Sequence, residues 1–126
     1  MAHHSDFHGT YFSIQDIVKE LRFNKREDLL NRLEFVIIEN AKENAHAQAV
    51  KNLQGGTALG DKFRVIDFPD SQGTSSTRNK IIEEARTDFV LVMDCHVLLC
   101  PVVQTLEKLF QFIEKYQNAM HLYQGP

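Results

Sequence analysis

Asp94-Cys95-His96 places a carboxylate and an imidazole two residues apart, at the end of the apolar run Phe89-Val90-Leu91-Val92-Met93. Where a strand ends, residues two apart point to one side. The pair combines a hard and a borderline ligand, suited to a divalent ion that also holds a phosphate. Manganese accepts such an oxygen–nitrogen set more readily than magnesium. The same alternation turns Cys95 the other way. A plainer reading stands beside this one, with Asp94 capping the next turn and His96 partly exposed. Arg78 follows the loop Gly73-Thr74-Ser75-Ser76-Thr77 and is expected in the first turn of a helix. Helix N–H groups and a guanidinium together favour a diphosphate. A cation there opposes the helix dipole, so an anion should accompany it. Asp94, Asp67 or Asp70 can serve as well as a ligand.

Four stretches with a period near 3.6 must position these groups. Ile14, Ile17, Val18 and Leu21 share one face, with Ser13 as the expected cap and Asp16 three residues on. Asn44 to Leu53 carries Ala49, Val50 and Leu53, and stops at Gln54-Gly55-Gly56. Ser76 to Ala85 turns Ile81, Ile82 and Ala85 inward. Val102, Val103, Leu106, Leu109, Phe110, Ile113 and Tyr116 form the fourth, opened by Pro101. Between them lie Phe35-Val36-Ile37-Ile38, the mixed run Phe63 to Phe68, and Phe89 to Met93. Apolar runs without alternation read as strands buried on both faces. Met120 to Tyr123 is a further short strand candidate, and Lys25 to Arg32 a short helical turn.

From residue 33 onward the order is strand, helix, strand, helix, strand, helix. This predicts an α/β fold: three layers, with helices on both faces of a mostly parallel sheet. The first helix has no evident strand before it. Ligands in such sheets bind beyond the carboxyl ends of the strands. That rule selects Glu39-Asn40-Ala41, Pro69 to Thr74, and Asp94-Cys95-His96.

The 126 residues, 43% hydrophobic and 25% charged, suit one globular domain. No run approaches the roughly 18 apolar residues of a membrane span, and no signal pattern opens the chain. The net charge of −3 gives no reason to expect nucleic acid. The basic residues between Lys19 and Arg32 alternate with acidic ones, as on a solvated face. Cys95 and Cys100, the two cysteines, read as free thiols of a reducing, cytoplasmic compartment. No P-loop, dinucleotide fingerprint or nucleophile elbow is present.

The block from Gly73 to Asp94 resembles the inverting family 2 glycosyltransferases of the GT-A type. Arg78-Asn79 match the family's Arg-Asn pair, and Ala85 its helix-ending alanine. Asp94 matches the first Asp of its D-x-D motif, and His96 stands at the last. D-x-H is the metal motif of the related polypeptide N-acetylgalactosaminyltransferases. The resemblance implies a divalent metal, manganese or magnesium, held by Asp94 and His96. It implies donor contacts from Glu39, Asn40, Arg78, Asn79 and Asp94. Glu34 to Asn40 looks like the family's second strand, whose final acidic pair recognises base and ribose. Glu39 would then accept hydrogen bonds from ribose hydroxyls, and Asn40 would read a base edge. The family's following serine is absent, since Ala41 and Lys42 stand there. Ala2 to Phe12 resembles its first nucleotide-contacting loop, with Gly9 to Gln15 leading into the first helix. His4 and His8 also invite a metal reading, and His3-His4 a purification-tag reading.

The expected activity is transfer of a sugar from a nucleoside diphosphate to a hydroxyl acceptor. The expected domain spans 1–126 and corresponds to the donor half of a GT-A domain. A first strand before residue 1 and an acceptor half after residue 126 are expected in a complete one. The family's general base has no clear match. The alternative is a non-catalytic nucleotide-binding fragment or relic of such an enzyme. A flavodoxin-like regulatory domain rests on fold analogy alone. An exposed sheet edge is expected, which a homo-oligomer or partner chain would cover.

Overall fold

The computed structural model describes residues 1–3, 6–40, 45–56, 59–69 and 73–116. Met120 to Tyr123, Ala41 and Asp70 lie outside them. Three parallel strands form one sheet in the order β1 (Ala2–His3), β2 (Phe35–Glu39) and β3 (Phe63–Asp67). Ala2 stands opposite Ile38 and His3 opposite Glu39. Phe35 pairs with Phe63, and Glu39 with Asp67. The helices are α1 (Phe7–Phe23), α2 (Glu27–Leu30), α3 (Ala45–Gly56), α4 (Gly73–Glu84) and α5 (Thr105–Lys115).

Alternation along β2 separates the layers. Phe35 and Ile37 join Phe63 and one stripe of α1 (Ile14, Ile17, Val18, Leu21) in a single core with Leu29, Val50 and Leu106. Ile38 and Ile81 are buried outside that cluster, where α4 packs on β1 and β2. Right-handed crossovers explain this: α1 and α3 step the sheet in one direction and share a face, while α4 returns across the opposite one. The architecture is therefore the expected α/β arrangement with helices on both faces.

Several local expectations are corrected. A strand does precede the first helix, and it is the two-residue β1. Helix α1 begins at Phe7 rather than near Ser13, because Asp6 accepts the Gly9 amide and supplies the cap. Ser13 instead donates to the Cys95 carbonyl at 2.8 Å. The fourth apolar stretch starts late. Pro101–Val103 forms a 3-10 turn, and Gln104 takes a left-handed φ of 55° before α5. Val102, Val103 and Tyr116 are consequently exposed, as is Ile82 on α4.

The largest correction is Phe89 to Met93, which is not a strand. Arg64, in β3, holds the Glu84 carbonyl at 2.5 Å, and Cys95 lies beside the start of α1. The run therefore links the end of α4 to the α1 side of the sheet. Asp94 makes an isolated bridge, and no residue from Phe89 to Met93 joins the sheet. Without a backbone partner, extended chain has nothing to hold it as a strand. Phe89, Val90, Leu91 and Val92 stand exposed as a result.

Candidate functional site

Helix α4 returns from β3 across β2 and β1, against the direction in which α1 and α3 step the sheet. Doubly wound sheets open a ligand crevice where the winding reverses in this way. Asp6 follows β1, and Cys95 and His96 follow Asp94, so both chain exits meet there. Cys95 Sγ lies 3.5 Å from Asp6 Oδ2 and 3.9 Å from His96 Nδ1. Cys95 is buried and His96 exposed. Burial, followed by the neighbouring Asp6 carboxylate, pushes the Cys95 thiol up from its usual range. The Thr10 hydroxyl opposes that rise. Cys95 thus does not turn away from His96, because the segment is not a strand and strand alternation does not govern it.

Gly9 permits this approach. A Cβ on Gly9 would overlap the Asp6 carboxylate and stand 2.8 Å from the Cys95 carbonyl oxygen. His8 is exposed on α1, whereas His4 lies outside the described residues. The segment around Gly9 is helical, contrary to its reading as a loop.

Arg78 Nη2 donates to Asp94 Oδ1 at 3.0 Å. Their side chains are 49% and 45% exposed. Of the three candidate anionic partners, Asp94 is the one this contact supplies. Helix α4 starts at Gly73, so Arg78 is its sixth residue and sits in the second turn rather than the first. Its conflict with the helix dipole is accordingly smaller. Asn79 is exposed next to it.

The end of β2 is joined to the same helix. Asn40 Nδ2 donates to Thr77 Oγ1 at 3.2 Å, and Thr77 Oγ1 donates to the Gly73 carbonyl. Asn40 Oδ1 is buried with no hydrogen-bond partner among the described residues. Glu39 is 1% exposed, and its backbone carbonyl accepts from Phe68.

Among the described residues, the metal-capable group brought together is Asp6, Cys95 and His96. Asp94 lies outside it. An oxygen, a sulfur and a nitrogen fit a borderline divalent ion, while magnesium would leave the sulfur and imidazole unused. Asp6 was read only as part of a loop, and Cys95 was set aside because strand alternation would turn it away from His96. Asp6 three residues before Gly9 is an N-cap pattern that could have placed it.

A parallel sheet covered by helices on both faces, with polar groups gathered beyond its strand ends, defines an α/β domain of the doubly wound kind. The chain belongs to glycosyl transferase family 2, which it matches over residues 13–125. No curated protein and no solved structure matches it significantly. No helix among the described residues is long and apolar enough to cross a membrane.

Proposed function

We propose that this chain binds a nucleoside-diphosphate sugar at the carboxyl ends of its strands and serves the transfer of that sugar to a hydroxyl acceptor. The observation that carries the reading is the Asn40–Thr77 link. It brings the end of β2 against the first turns of α4 and leaves the buried Asn40 Oδ1 without a partner. Such an atom is stabilised by a ligand donor, as on a nucleobase edge. Asn40 is half-buried and better placed for this contact than Glu39, the residue proposed for the ribose.

Arg78 and Asn79 stand on α4 facing solvent and are proposed for the diphosphate. Arg78 would exchange Asp94 for phosphate oxygens, an exchange that half-exposed partners make at small cost. Asp94 and His96 are the residues proposed to hold the donor's divalent metal. Bound there, the ion would supply positive charge against the leaving diphosphate. Asn40 and Arg78 would orient the donor from either side.

Titration calorimetry with uridine and guanosine diphosphates, with and without manganese, tests the reading. Binding of one of them, strengthened by manganese, is expected. A folded chain that binds neither refutes it. A second reading is a diphosphate-binding module without catalysis, favoured by the Arg78–Asp94 pair that neutralises both groups. Donor hydrolysis or transfer by the purified chain would reject that second reading.

A further inference from the structure

We propose that Asp6, Cys95 and His96 form a binding site for a borderline divalent cation of the zinc class, held in part by the cysteine sulfur. One ligand atom from each residue lies within 4.8 Å of the other two. Around tetrahedral zinc, with Zn–S near 2.3 Å and Zn–O and Zn–N near 2.1 Å, sulfur stands about 3.6 Å from a neighbouring ligand atom. The separations of 3.5 Å to Asp6 Oδ2 and 3.9 Å to His96 Nδ1 already match this within a few tenths of an ångström. The exposed His96 ring has room to swing inward. A carboxylate and a thiolate balance the two positive charges, and neutral imidazole adds none. Sulfur and imidazole together select zinc-class ions over magnesium or calcium.

The surroundings hold the ligands in place, as supporting groups do in metal sites. Asp6 Oδ1 accepts the Gly9 amide at 2.9 Å, which leaves Oδ2 to face the sulfur. The Ser13 hydroxyl fixes the Cys95 carbonyl. Thr10, fully buried, sets its hydroxyl against the Cys95 sulfur and would support a metal-bound thiolate there. On binding, the cation replaces the thiol proton, which leaves to solvent.

The site shares His96 with the donor-metal pair, leaves Asp94 to Arg78, and needs no nucleotide. It is therefore tested with metal alone, so its failure is distinct from failure of the donor reading. Cobalt(II) titrated into the chain should bind once and give an intense near-ultraviolet sulfur-to-cobalt band, displaced by one equivalent of zinc. Cys95→Ser should abolish the band. His96→Gln and Asp6→Asn should each weaken binding at least about tenfold, the loss seen even for supporting residues of metal sites. Absence of the band, or its survival in C95S, overturns the proposal. Because His96 is exposed, H96Q should fold whatever becomes of C95S. Unchanged cobalt affinity in H96Q also overturns it.

Discussion

Replacing Glu20 with glutamine isolates the charge of a carboxyl that α1 carries into the core. Glu20 is 0% exposed. Its Oε1 accepts the Leu106 amide at 2.8 Å, and Oε2 is buried with no hydrogen-bond partner among the described residues. Burial raises its pKa above the ordinary 4.5; the Leu106 amide opposes this, Asp16 adds to it, and the Thr105 amide opposes it. The folded chain therefore holds this proton more tightly than the unfolded chain. Stability is greatest below the ordinary carboxylate pKa and falls as pH rises through the raised value. One such group contributes a slope of at most about 1.4 kcal/mol per pH unit. Glu20→Gln keeps an oxygen for Leu106 and removes the charge, so its stability should not share that decline. Glu20→Ala removes the acceptor as well and should lose about 1–3 kcal/mol at every pH. Urea melts of the three chains from about pH 4.5 to about pH 8 measure these differences. Parallel pH profiles for the native chain and E20Q would refute the reasoning.

Gly9→Ala should destabilise by about 1–3 kcal/mol through overlap with Asp6 and the Cys95 carbonyl. This holds although alanine is favoured over glycine in helices by about 1 kcal/mol; thermal melts decide the sign. Leu91 is 51% exposed, so Leu91→Ala should change stability by under about 0.5 kcal/mol. A loss of about 2–5 kcal/mol in the same urea melt would instead mark a buried strand. Arg64→Met should lose about 3 kcal/mol, because it strands Glu34, with which it shares a 2.6 Å pair at 14% exposure on each side. Pairing it with Glu34→Gln should recover part of that loss, measured as a double-mutant cycle.

The helices and β2 were legible because their burial follows their own sequence pattern. Ile14, Ile17, Val18 and Leu21 fall on the buried stripe of α1, and Phe35 to Ile38 form a strand with both faces covered. Phe89 to Met93 has the same composition but a different fate. Apolarity reports what a run would gain by burial, whereas a strand also needs a neighbour's backbone. Nothing within the run says whether that neighbour is there. Of the proposed site, one side-chain pairing was legible. The Arg78–Asp94 pairing was among the alternatives, although Arg78 and Asn79 stand in the second turn of α4 rather than at its start. The orientation of Cys95 was misread because it followed from a strand that does not form. Its approach to Asp6 joins residues 89 apart in sequence, which no local pattern encodes.

The bonds that α1 and the turn after it make to the far end of the chain also set an order of events. Ser13, Glu20, Asn24 and Arg26 reach Cys95, Leu106, Pro101 and Glu107, at separations of 82, 86, 77 and 81 residues. Closing a loop of this size costs on the order of 4 kcal/mol in chain entropy, so these contacts form late and only with the sheet behind them. At about 5–20 residues per second of synthesis, α1 waits roughly 4 to 17 seconds for Leu106 to be made. During that interval the Glu20 carboxyl has neither its amide partner nor its cover. The buried charge thus belongs to the last step of folding, and a nascent chain halted before Leu106 would keep its first helix wet on one face.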